Sequence, residues 1–154
     1  MTIKIGEVVS VKGINVTIRM HEDSNKDSFF FSGDKYKGVS IREHLLIQRG
    51  FIDIVCIVEG EFLDEKRFEE VGNKTIYVRH IDVKPIGFFK DNKFNEGVKY
   101  LPMIKDSASL ISEKMIADIY NRKEDDKFIY GKMLKEEFAV YLPWRKLFNT
   151  HIGI

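Results

Sequence analysis

Between residues 16 and 20 apolar positions recur at every second residue. Val16, Ile18 and Met20 alternate with Thr17 and Arg19. An extended strand sends successive side chains to opposite faces, so this stretch predicts a half-buried strand. The β-branched run TIKIGEVVSV precedes it, and Gly13 supplies a turn between the two, which predicts a hairpin over residues 3–20. HEDSNKD then reads as a loop. SFFF is strand-like, and so is HLLIQRGFIDIVCIVEGEFL, punctuated at Gly50 and Gly60. TIYVRHIDVKPIGFF is another strand, whose Pro85 cannot donate to a ladder and demotes its far end to an edge or bend. Many short strands joined by glycine turns predict a closed barrel or a sandwich.

The period changes once. Met115, Ile116, Ile119 and Tyr120 fall at helical spacing, Ser112 stands where it can cap, and Glu113 suits the first turn. These features predict one main helix near residues 113–121, with the apolar stripe as its packing face. The charged NRKEDDK ends it. Two more strands are expected near 128–133 and 137–142, and WRKLF makes a short helical turn after Pro143. The fold class is mainly β: a small closed barrel of about six strands with one main α-helix.

Composition narrows the function classes. The 154 residues carry 25 Lys plus Arg against 24 Asp plus Glu, a balance that argues against a dedicated nucleic-acid or membrane-surface protein. The single cysteine, Cys56, excludes an internal disulfide and a cysteine zinc site, and its setting in FIDIVCIVEG reads as a buried strand position. No signal peptide or membrane-length apolar run is present in the sequence, so a cytoplasmic location is expected.

The stretches that imitate catalytic motifs each lack a part. GDKYKGVS, residues 33–40, has both glycines and the serine of a phosphate loop, but Val39 stands where the lysine must be. It reads as a turn, with no ATP bound there. The histidines His21, His44, His80 and His151 do not pair at metal-ligand spacing. His80 and Asp82 share a strand face and read as a surface pair. The acids of EGEFLDEKRFEE read as a loop run, since a metal nuclease needs carboxylates brought together from separate segments. No serine sits in a G-x-S-x-G elbow. The three phenylalanines 29–31 raise a different possibility. Either Phe30 points into the barrel with Phe29 and Phe31 out, or the reverse, and exposed phenylalanines suggest a contact surface.

Several segments, in order, resemble the N-terminal HAS-barrel of HerA-type hexameric ATPases of the FtsK/HerA superfamily. IGEVVSV is similar to that barrel's first strand. KFNEGVKYLPMIKDSASLIS resembles the family stretch of Phe, Gly-Val and Pro followed by a strand and a helix, here Phe94, Gly97, Val98 and Pro102. YGKM is similar to the strand returning after the helix, and LFNTHIGI to the entry of the ATPase domain. The family often carries a glycine after the proline segment, where Lys105 or Asp106 stands here.

The resemblance implies a barrel domain over residues 1–148 and the start of a truncated ATPase domain over 149–154, ending before the phosphate loop. It implies no catalysis, nucleotide, metal or cofactor in this fragment, with ATP and Mg belonging to the parent. The implied role is an assembly and partner-docking collar of an ATP-dependent DNA translocase or helicase, in DNA end processing or antiphage defence. Implied partners are further copies in a hexamer, a nuclease or sirtuin-like effector, and DNA through the parent's ATPase ring, with no membrane. Interface candidates are Phe29 and Phe31 on their strand and Phe94, Val98 and Tyr100 in a following loop. Two alternatives stay open: an OB-like nucleic-acid-binding barrel, whose aromatics stack bases, and a small metal-dependent nuclease resting on the acid run.

Overall fold

A computed structural model describes residues 2–24, 26, 28–68, 74–120, 127–132 and 139–143. The chain divides into two compact units, Met1–Leu110 and Ile111–Ile154.

The described residues of the first unit form nine strands: β1 (Lys4–Lys12), β2 (Asn15–Met20), β3 (Ser28–Phe31), β4 (Asp34–Lys37), β5 (His44–Arg49), β6 (Ile52–Phe68), β7 (Lys74–Lys90), β8 (Lys93–Glu96) and β9 (Ser107–Leu110). Six of them form a closed antiparallel ring in the order β2-β1-β9-β5-β6-β7, which the β2–β7 pairing seals. The ring forms because its strands turn β-branched residues inward. Ile5, Ile18, Leu45, Ile47, Ile54 and Ile81 are fully buried, and Val8, Val16, Val58 and Val83 fill the space between them. Each aliphatic side chain buried this way contributes about 1.5–3 kcal/mol. Cys56 lies among them, as expected, and burial pushes its thiol well above the ordinary range.

The predicted β1–β2 hairpin is present, with Gly13 at φ 63° in its turn. Two expectations change. β6 does not break at Gly60; the ladder to β7 slips there by one residue, between Val58 and Gly60. β7 likewise runs on through Pro85. Its ladder to β6 shifts between Val55 and Cys56, the residue facing Pro85. On the other edge the β2 ladder ends at Val83 and the β8 ladder starts at Gly87. On that edge Pro85 therefore lies between two ladders, where no described strand calls for its missing N–H.

The second unit contains α1 (Glu113–Tyr120), β10 (Lys127–Lys132) and β11 (Ala139–Pro143). Met115 N donates to Ser112 Oγ at 3.3 Å, the predicted cap. Ile116 is buried, and Met115, Ile119 and Tyr120 are half-buried. β10 and β11 pair antiparallel, with a bulge between Ile129 and Gly131. The expected loop at 121–126, the turn at WRKLF, the HIGI strand and the 148/149 boundary lie outside the described residues.

Candidate interaction surface

The β3–β4 hairpin is a flap against the ring. Ser32 and Gly33 both have positive φ, 52° and 91°, the pattern of a two-residue hairpin turn. Register places Phe29 opposite Tyr36 and Phe30 opposite Lys35. Phe29 is 6% exposed and belongs to the core. Phe31 is partly buried against that core, and the Tyr36 ring lies 6.1 Å from Phe29 and 6.5 Å from Phe31. Phe30 is 72% exposed. Of the two orientations open to this strand, the flap therefore takes the one with Phe29 and Phe31 inward, because only that face has a core to meet. The strand presents Phe30 to solvent, not the pair named from the sequence.

GDKYKGVS resolves into the flap turn, β4 and a strap over residues 38–43. Val39 is buried in the core, so the position that a phosphate loop gives to lysine is a packing position here. Glu43 anchors the strap. Its carboxylate accepts from Lys37 Nζ at 2.6 Å and from Ser40 N at 2.8 Å. The backbones of Arg42 and Glu43 pair with Val58 at 2.8 and 2.9 Å.

The other named candidates gather around β7–β8. Asp91 and Asn92 make the tight turn, both at positive φ. Phe94 is on β8 rather than in a loop, since its ring lies across Gly87. A Cβ at Gly87 would come within 2.5 Å of that ring, so glycine is what allows the approach. Phe94 also meets Phe89 at 5.4 Å. Tyr100 is partly buried against the core, edge-on to Phe88 at 4.8 Å, with Lys99 Nζ 5.6 Å above its ring. Val98 is 45% exposed. Of the five residues named from the sequence, Val98 faces solvent most, while Phe29, Phe31, Phe94 and Tyr100 lie against their own protein.

Sequence reasoning missed other exposed apolar positions. Phe51, next to Gly50 in the β5–β6 turn, is fully exposed, and Met103 and Ile104 are exposed in the 103–106 turn. Arg49 Nη1 donates to the Leu101 carbonyl, which ties these two segments together at one end of the ring. A Gly-Phe pair between two strand patterns was the available signal for Phe51. The β6–β7 arm was missed as well. β5 pairs with β6 up to Ile57, and β2 with β7 from His80. From Glu61 to Phe68 and from Lys74 to Arg79 the two strands pair with each other, and no third strand joins them among the described residues. Phe62, Leu63 and Tyr77 are exposed along this arm.

Polar side chains singled out from the sequence that lie among the described residues are engaged in separate contacts. Asp82 accepts from Thr17 Oγ1 at 2.8 Å, while His80 is buried beneath Phe62, the rings 5.0 Å apart and nearly parallel. Glu59 pairs with Lys84 at 2.8 Å, and Glu61 with Arg79. Among the described residues no three His, Cys, Asp or Glu side chains are grouped to hold a metal ion. An open groove of about 440 Å³ on the outer wall, lined by Lys12, Asn15, Glu59, Phe62 and Asp82 among others, has its two carboxylates already partnered. No described helix is long and apolar enough to cross a membrane. Compared with protein-family models and with curated proteins, the chain matches none.

Proposed function

We propose that this chain is a protein-contact barrel: an assembly and partner-docking collar of a HerA-like hexameric ATP-dependent DNA translocase, in DNA end processing or antiphage defence. The barrel itself carries out no catalysis and holds no nucleotide; ATP and Mg act in the parent's ATPase ring, through which DNA passes. Its partners are other copies and a nuclease or sirtuin-like effector, in the cytoplasm.

The observation that carries the reading is the closed ring with apolar side chains left outside it and no excess of positive charge. Closure consumes the edges of β1, β5 and β9, so those strands offer partners side chains and turns rather than open ladders. Phe30, Val98, Phe51, Met103 and Ile104 are among the exposed apolar groups of this kind in the first unit. A second support lies at Lys105. Its φ is 75°, a backbone that glycine favours, at one of the two positions where the family resemblance expects a glycine. The strand-then-helix order after Pro102, β9 then α1, also agrees with the resemblance.

Sedimentation equilibrium of the chain tests the reading. Weak self-association is expected, in the range of about 100 µM because the interface lacks the rest of the ring and its effective concentration. Phe30→Asp combined with Val98→Asp should weaken it about tenfold. Association unmoved by these changes removes both surfaces from the account.

A further inference from the structure

We propose that Arg79 is a latch that couples the β6–β7 arm to the β3–β4 flap, so that the two loosen or tighten together while the ring stays closed. Arg79 stands at the root of the arm. His80 is the last β7 residue paired with β2, and Arg79 is the next one outward, opposite Leu63 of β6. Its guanidinium reaches in two directions. Nη2 donates to the Val39 carbonyl at 2.8 Å, and Nε to Glu61 Oε2 at 3.0 Å. The side chain is only 14% exposed, whereas Glu61 is 43% exposed.

Val39 gives the contact its reach. It is the strap residue that enters the apolar core, and the same strap is fixed at its far end by Glu43 and by the Arg42 and Glu43 backbone bonds to Val58. Among the described residues no third strand pairs with the arm. Two-stranded ribbons are marginal alone in water, so the arm's direction depends on what grips its root. A guanidinium presents several donors in a rigid fork and can hold a carbonyl and a carboxylate at once. The flap carries exposed Phe30, and the arm carries exposed Phe62 and Tyr77. Through the latch, a partner that moves one of these surfaces moves the other. The coupling does not depend on who the partner is, so it stands apart from the collar reading.

Native-state hydrogen exchange of the intact chain tests it, with Arg79→Gln, Arg79→Lys and Glu61→Gln variants. Arg79→Gln should speed exchange about ten- to hundredfold in both the strap and flap amides (residues 28–43) and the arm amides (61–68 and 74–79), with the amides of β1, β5 and β9 unchanged. Arg79→Lys retains charge and bulk but lacks the fork, and should give a smaller change in the same two regions. Glu61→Gln retains the Val39 bond and should leave strap exchange within about twofold of the parent chain. Loosening of the arm alone, of the flap alone or of the whole ring in the Arg79 variants would overturn the coupling. So would strap loosening in Glu61→Gln equal to that in Arg79→Gln, since the carboxylate rather than the Val39 bond would then hold the strap.

Discussion

β6 and β7 live in two environments along their own length. Near Ile54 and Ile81 each strand has a neighbour on both edges and a closed core on one face. Farther along the same pair, at Asp64 and Val78, ten residues from Ile54 and three from Ile81, each strand pairs only with the other among the described residues. The β6–β7 ladder runs through both regions, and the ring adds a second ladder on each outer edge. Burial separates them further: ring closure removes apolar surface from water, and the arm leaves Phe62, Leu63 and Tyr77 in it. The ring is the stable part and the arm the available part.

The strongest way to break this contrast is to cut the same kind of side chain from each region. Ile81→Ala in the ring should cost about 2–5 kcal/mol, since it removes the side chain and leaves a cavity. Leu63→Ala in the arm should cost under about 0.5 kcal/mol. Urea titrations of the two variants make the comparison. Equal losses would mean that the arm is packed in solution. Gly87→Ala comes next. The new methyl would meet the Phe94 ring and the Asn95 carbonyl, both within 2.6 Å, so β8 must shift. About 1–3 kcal/mol of destabilisation is expected, with loss of Phe94 ring protection by NMR.

Cys56 reports on ring closure through pH. Its folded thiol is raised by burial, and an unfolded thiol ionises near 8.5. The stability contributed by keeping it neutral is therefore complete below about pH 8.5. Above that it falls by about 1.4 kcal/mol per pH unit. Cys56→Ala should lose this part of the alkaline decline, and the native thiol should resist iodoacetamide until global unfolding. Rapid native labelling at pH 8 would show the ring to be open at that wall. The smallest expected effect is at Lys105, whose left-handed backbone is strained for a residue with a Cβ. Lys105→Gly should be neutral or raise stability by about 0.5 kcal/mol, read as a small rise in Tm.

The same contrast explains what the sequence showed and what it concealed. β2 was legible from its period of two, β1, β5 and the first part of β6 from their apolar runs, and α1 from Ser112 and its stripe. β9 was not legible by period: Ser107, Ala108, Ser109 and Leu110 carry little apolar weight, yet this strand joins β1 to β5 and so closes the ring. β4 and β8 were hidden for a similar reason, being short and rich in lysine. The outer part of β6, from Asp64 to Phe68, escaped notice because its acids and bases read as a loop; its regularity comes from pairing with β7, a long-range contact. At the surface, alternation told that Phe30 opposes Phe29 and Phe31 but not which side faced the core. That choice depended on Tyr36 and the ring beneath the flap.

The central claim is that this barrel serves protein contact and not nucleic-acid binding. Fluorescence anisotropy with labelled single-stranded and duplex DNA, titrated with the chain at 50 and 200 mM salt, tests it most directly. No saturable binding is expected below about 50 µM at either salt, because 25 basic and 24 acidic side chains give the chain almost no overall positive charge to drive counterion release. Micromolar binding at 50 mM salt that weakens steeply at 200 mM would contradict it and favour the OB-like reading.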